Sequence, residues 1–253
     1  MRILLTNDDG INAPGIKALW QNLSTIADVF VVAPSFEQSA MSQAITMHMP
    51  IRVQSYEFNT ENVTGWSVDG TPTDCVKLAL ETLLTEKPSC VVSGINMGAN
   101  LGNDILYSGT VSAAREGALH RIPSIAVSLD SDKATDFALA AKFTVKFVTK
   151  MLEEQIEPNT LFNVNVPKNM NQKHEDVAIT KLGIREYENT FDRRQDPSGR
   201  SYYWMGGKII NSENEEDTDV SAIKNNKISI TPIHFDLTDY HVMNELKNWK
   251  IQT

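Results

Sequence analysis

Short apolar runs, each closed by a cluster of turn-forming polar residues, recur along the chain and set its predicted elements. Ile3, Leu4 and Leu5 suit a strand over residues 2–6 buried on both faces of a parallel sheet, and Asn7, Asp8, Asp9 and Gly10 end it abruptly. Residues 11–24 predict a helix: Asn12 can cap it, Pro14 suits the first turn, and Ile16, Leu19, Trp20 and Leu23 recur at helical spacing. A second buried strand, residues 28–34, opens into a loop carrying Ser35, Ser39 and Ser42. Extra strands follow at 51–58 and 65–68. A helix then runs to about Thr85, with Thr71 as cap, Pro72 at its first position and Asp74 in its first turn. Further strands are predicted at 90–92, 122–129 and 161–167, and helices at 111–121 and 132–153.

Regular alternation of strand and helix over residues 1–167 predicts an α/β core, a doubly wound and mostly parallel sheet. From Lys168 the pattern changes to strands without intervening helices, at 177–182, 202–209 and 227–233, with a polar stretch at 211–218 and a terminal helix at 237–249. Residues 168–253 are therefore expected to form a β-rich antiparallel extension that serves oligomerisation. If Tyr202, Tyr203 and Trp204 are exposed, they can pack on a partner subunit or shelter the mouth of a site; otherwise they belong to the core.

Composition narrows the class. With 253 residues the chain is long enough to bury a sizeable core, and no apolar run reaches the roughly 18 residues of a membrane span. Met1 leads directly into the first strand without a signal-peptide pattern, so the expected location is cytoplasmic. The only cysteines, Cys75 and Cys90, stand in apolar surroundings and read as buried free thiols. A formal charge of -9 argues against a nucleic-acid scaffold but leaves room for a small phosphorylated substrate, because a metal ion can supply local positive charge.

The candidate chemistry gathers at predicted carboxyl ends of strands, where open α/β sheets place their ligands. Asp8 and Asp9 are adjacent anions whose repulsion a hard divalent cation relieves, although Asn-Asp-Asp-Gly is also an ordinary polar turn. A serine of the 35–42 loop can complete a metal site or hold a phosphate oxygen, or simply cap a helix. The loop from Ser93 to Thr110 combines Gly94, Gly98, Gly102 and Gly109 with the side-chain oxygens of Asn96, Asn100, Asn103 and Asp104. It has neither the dinucleotide fingerprint nor the P-loop spacing. Ser108, Gly109 and Thr110 precede an Ala-rich helix whose free amides would face an anion.

Together, the segments MRILLTNDDGINAPGI, VVAPSFEQSAMSQAIT, SVDGTPTDCVKLAL and VVSGINMGANLGNDILYSGTVSAAREG resemble the SurE family of stationary-phase survival proteins, which are metal-dependent nucleoside monophosphate phosphatases. The likeness continues in LFNVNVP and DPSGRSYYWMGG. It implies a Rossmann-like core, a homodimer or homotetramer built with the C-terminal extension, and 5′- or 3′-nucleotide substrates. It also implies metal ligation by Asp8, Asp9, Ser39 and Asn96. Family members commonly show Arg-Ser-Gly where this chain has Gln38-Ser39-Ala40, and Gly-Thr-Asp where it has Asp217-Thr218-Asp219.

The expected reaction is metal-assisted hydrolysis of a phosphomonoester. One Mg²⁺ or Mn²⁺ per subunit is held by Asp8, Asp9, Ser39 and Asn96, while Asn100, Ser108, Gly109 and Thr110 cradle the phosphate. An oxygen-only ligand set favours these ions over zinc, and Asp8 or Asp9 is available to accept the proton of water. Two rivals remain at this level: a covalent aspartyl-phosphate phosphatase, and a non-catalytic nucleotide-binding sensor module.

Overall fold

The computed structural model describes residues 1–131, 133–168, 176–210 and 214–249. A nine-stranded sheet forms its frame, in the order β3-β4-β2-β1-β5-β6-β7-β13-β8. Here β1 is Arg2–Thr6, β2 Asp28–Pro34, β3 Val53–Tyr56, β4 Val63–Val68, β5 Cys90–Met97, β6 Ser124–Asp130, β7 Leu161–Pro167, β8 Val177–Ile179 and β13 Ile228–Ile233. From β4 to β7 every neighbouring pair is parallel. β3 is antiparallel to β4, and β13 to β7.

The alternation along β1 shows why its apolar run is continuous. Ile3 and Leu5 pack with Ile16 and Leu19 of α1 (Pro14–Leu23) and Val148 of α4 (Ala138–Glu153). Leu4 points the other way, to Val76 of α2 (Pro72–Leu78) and Ala113 of α3 (Gly109–Leu119). Each face of a doubly covered strand needs its own apolar residues, so polar alternation disappears. Truncating any of the leucines or isoleucines among them to alanine is expected to cost about 2–5 kcal/mol.

From β1 the chain first builds β2 on one side, and later lays β5 on the other. The two crossovers leave in opposite directions, so a crevice opens above the carboxyl ends of β1 and β5. That crevice is the topological switch point of the sheet.

Several helix ends differ from the sequence expectation. Asn12 does not cap α1: the cap position is Ala13 without a side-chain bond, and Asn12 Oδ1 instead accepts a hydrogen bond from Tyr56 Oη at 2.7 Å. α2 begins as expected, with a reciprocal capping box between Thr71 and Asp74. It ends at Leu78 and passes into a π-helical turn, Ala79–Leu83. α3 starts two residues earlier than its apolar pattern suggested, because Ser108 caps it and Gly109 and Thr110 are already helical. α4 begins only at Ala138, and Asp132 lies outside the described residues.

Beyond β7 the chain both extends the sheet and leaves it. β13 joins the sheet antiparallel to β7, and β8 lies parallel to β13 at the edge. Two antiparallel ribbons stand apart: β9 (Glu186–Glu188) with β12 (Lys208–Ile210), and β10 (Phe191–Gln195) with β11 (Ser201–Met205). Tyr202, Tyr203 and Trp204 lie on β11 and are exposed, so they are not core residues. The sequence pattern missed β9, β10 and the short helix α5 (Asp219–Lys224), whose residues show little apolar periodicity. Part of the polar 211–218 stretch, residues 211–213, lies outside the described residues. The terminal helix is α6, Tyr240–Leu246. Both cysteines are free and buried.

Candidate active site

β1 ends at Thr6 and delivers Asp8 and Asp9 into the switch-point crevice. The turn that carries them is closed by Asn7 Nδ2, which donates to the Gly10 carbonyl at 2.9 Å. It is zipped to the loop after β2 by Gln38 N donating to Asp8 O at 2.7 Å and Ile11 N donating to Pro34 O at 2.9 Å. Gly10 takes φ +98, and a Cβ there would meet the Phe36 backbone at 3.3 Å, so the two loops approach as closely as glycine permits.

Asp8 is buried and meets the start of α3. The Thr110 hydroxyl donates to Asp8 Oδ1. A Cβ at position 109 would lie 2.8 Å from Asp8 Oδ2, which explains a glycine at the first position of the helix. Burial raises the Asp8 carboxyl above the usual carboxylate range, while the hydroxyl and amide of Thr110 hold it down. Asp9 is pushed up to about 7 by burial, with the charge of Asp8 as the second cause and the backbone amide of Met97 opposing it. Glu37 adds a third negative charge that acts on both. No Lys, Arg or His forms an ion pair with Asp8 or Asp9 among the described residues.

The other predicted ligands surround this pair unequally. Asn96 lies at the end of β5, where the pairing with β6 shifts register between Ser93 and Asn96 and the Gly94–Ile95 peptide is cis. Its Nδ2 donates to Gly98 O at 2.8 Å, which commits the amide nitrogen, so Oδ1 is the side-chain atom available to a cation. Met97, the next residue, faces Asp9 through its amide. Ser39 is exposed on the β2–β3 loop, and its hydroxyl donates to Glu37 Oε1 at 2.5 Å. Ala40 beside it has φ +56, a conformation that costs an L residue about 1–2 kcal/mol and that glycine adopts freely.

The glycine-rich loop divides into an anchored and an open part. Asn100 is turned inward: its Nδ2 donates to Ser128 Oγ at 2.8 Å, and its backbone is held by Asn163 and Asn165 of β7. Asn103 and Asp104, counted among the possible oxygen donors, are engaged by Arg185. Gly102 N donates to Asp219 Oδ2 and Gly183 N to Asp219 Oδ1, each at 2.8 Å. At the open end, Ser108 Oγ accepts from Val111 N at 3.1 Å and keeps its own proton for another acceptor. Thr110 is already occupied by Asp8, so Gly109 carries the remaining amide of the first turn.

Asn163, Asn165 and Glu37 were given no role from the sequence, and Asp219 was noted only as part of the Asp217-Thr218-Asp219 position that resembles a family motif. Asn163 and Asn165 were legible in principle, as two polar residues two apart in an otherwise apolar strand and therefore on one face. Glu37 carried no such signal.

A divalent cation with oxygen preference fits the residues present. The paired carboxylates lack a cationic side chain, and Asn7 Oδ1, buried in the same turn, accepts no hydrogen bond. No group of three His, Cys, Asp or Glu side chains converges among the described residues, and what the turn offers a cation is two carboxylates beside neutral oxygens. A shallow cleft of about 410 Å³ at the β3–β4 edge, lined by Tyr56, Phe58 and Trp66 among others, contains none of these groups.

Fold and site together define a doubly wound α/β protein with a carboxylate pair and a helix start facing each other at the switch point. The profile of the family described as survival protein SurE matches residues 3–189, and the chain belongs to that family. It is 51% identical over 249 residues to the 5′-nucleotidase SurE of Heliobacterium modesticaldum, an alignment covering 98% of this chain and 92% of the relative. To the protein of the same name from Carboxydothermus hydrogenoformans it is 51% identical over 253 residues, 98% of this chain and 96% of the relative. The crystal structure of the SurE protein from Aquifex aeolicus superposes with a TM-score of 0.84 at 39% identity, covering 98% of each chain.

Proposed function

We infer that this protein is a 5′-nucleotidase, a phosphomonoesterase that converts nucleoside monophosphates to nucleoside and phosphate. Its family membership and the 5′-nucleotidase relatives support the activity. One observation in the site carries the reading furthest: Asp8 stands beside Asp9 and also touches the start of α3. Two carboxylates at an anion-binding helix start repel a phosphate unless a cation lies between them.

We propose Asp8, Asp9, Ser39 and Asn96 as the ligands of one Mg²⁺ or Mn²⁺ per subunit. Such an ion, when bound, neutralises phosphoryl charge and activates water. Thr110 orients Asp8, and its two hydrogen bonds favour the charged carboxylate that ligation needs. The Ser108 hydroxyl and Gly109 amide are the donors left to receive the phosphate, while Asn100 holds the loop in place. Asp8 or Asp9 is the carboxylate available to accept the proton of the attacking water.

Activity on 3′-nucleotides, a cytoplasmic location and a homodimer or homotetramer are further parts of the proposal. No helix among the described residues is long and apolar enough to cross a membrane. Residues 168–253 are proposed to serve assembly, because the β10–β11 ribbon exposes Phe191, Tyr203, Trp204 and Met205 together. The decisive test is release of inorganic phosphate from nucleoside monophosphates with and without EDTA. Metal-dependent release is the expected result, and release unaffected by EDTA contradicts the ligand assignment.

A further inference from the structure

We propose that Tyr107 is the platform on which the base of the nucleotide stacks, an inference that rests on the nucleotidase reading and adds the specificity element it lacks. Tyr107 immediately precedes Ser108, the cap of α3 and a donor assigned to the phosphate. The base of a nucleoside monophosphate hangs one sugar away from its phosphate, and Tyr107 stands one residue away from Ser108. Its side chain is exposed, at 66%.

The backbone beneath that ring is fixed from both sides. Tyr107 N donates to Asp104 O at 3.0 Å, and Tyr107 O accepts from Ser42 N at 3.0 Å. Ser42 Oγ donates to Leu106 O at 2.8 Å, so the loop carrying Ser39 is pinned to the turn carrying Tyr107. Around the polar site the loops expose Phe36, Met41, Met97 and Leu106 as well. Apolar walls around a few convergent polar groups are the usual make-up of a small-molecule site.

Phe36 is the other exposed ring beside the site, and the remaining aromatic clusters are differently employed. Trp20, Tyr56 and Phe58 pack on one another, and Tyr56 Oη is bonded to Asn12. Tyr202, Tyr203 and Trp204 belong to a ribbon that pairs only within itself. A ring face binds every base alike, which gives affinity for nucleotides over sugar phosphates without choosing among bases.

The test compares kcat/KM for AMP, UMP and ribose 5-phosphate in wild type, Tyr107→Phe, Tyr107→Leu and Tyr107→Ala, with thermal melts to verify folding. Tyr107→Ala and Tyr107→Leu are expected to lower kcat/KM for both nucleotides about fivefold or more, mainly through KM. Ribose 5-phosphate, which has no base, changes by less than about twofold, and Tyr107→Phe behaves as wild type. Inhibition by free adenosine weakens in step. An equal fall on nucleotides and ribose 5-phosphate, or unchanged KM for nucleotides, overturns the platform while leaving the nucleotidase intact. No turnover of any nucleotide by the wild type overturns the nucleotidase reading itself, and the platform with it.

Discussion

Asn165 clasps the backbone of Asn100 from both sides: its Oδ1 accepts from Asn100 N at 2.8 Å and its Nδ2 donates to Asn100 O at 2.9 Å. The two residues are 65 positions apart, and both are buried. One side-chain amide thereby satisfies a peptide donor and acceptor that have no ladder partner, and fixes the loop at the mouth of the site.

Asn165→Ala is therefore expected to cost about 1–3 kcal/mol of stability, because the Asn100 amide is left buried and unpaired while Asn163 still serves its carbonyl. Chemical denaturation measures the loss. KM for a nucleoside monophosphate should rise with it, and an unchanged stability and KM would contradict the clasp.

Asp8→Asn and Asp9→Asn should each lower phosphatase activity about a thousandfold or more, since a metal site at the reacting phosphoryl group supplies several kcal/mol. The fold should survive. Removal of a buried charge with little change of volume predicts a metal-free melting temperature at or above wild type for Asp9→Asn. It also predicts that added Mg²⁺ or Mn²⁺ no longer raises that temperature. Full activity in either purified variant would sink the assignment.

The raised Asp9 carboxyl predicts a pH signature of the metal-free protein. Its value moves from the ordinary 3.8 to about 7 on folding, so between those values the folded state keeps a proton that the unfolded state has released. Stability should fall as pH rises through that window, with the Asp8 shift acting in the same direction. Metal binding displaces the protons, so the stabilisation by added metal should grow over the same range. Melting curves between pH 5 and 8, with and without metal, read both slopes.

Asn96→Ala removes a neutral oxygen and leaves both carboxylates. The metal concentration for half activity should rise roughly tenfold or more, an effect of the size seen when groups supporting a metal site are lost. An unchanged metal titration would return Asn96 to holding Gly98.

Exposure of Tyr203 and Trp204 on an isolated ribbon predicts a solution mass of two or four chains, measured by light scattering. Replacing both by serine should shift the mass downward. A monomeric mass for the unaltered protein would contradict the proposal.

Much of the core was legible because local pattern and tertiary need agree there. Ile3, Leu4 and Leu5 are a continuous apolar run because the strand is covered on both faces, and Asp8 and Asp9 announce themselves by adjacency at its end. Ser108, Gly109 and Thr110 were readable as a helix start for a similar local reason. The hydrogen bonds of Asn100 were not readable: a polar residue in a glycine-rich loop looks like a ligand, and its partners Ser128, Asn163 and Asn165 lie in strands farther along the chain. Asn103 and Asp104 were misleading for the same cause, since Arg185 claims them from beyond the α/β alternation. Of the ribbons, β11 and β12 overlap the strand expected at 202–209, while β9 and β10 left no trace because a strand exposed on both faces has no period-two apolar signal.

Asp219 gives the site a place in the order of events by which the chain folds. Its carboxylate ties Gly102 to Gly183, and 117 positions separate it from Gly102. The turn leading to Tyr107 and Ser108 thus waits for a residue near the end of the chain, and contacts of such separation form late because loop closure must precede them. Without α5 the Gly102 and Gly183 amides lose the carboxylate that joins them. A loop that belongs to the α/β core is thus braced by a carboxylate from the segment that follows the core.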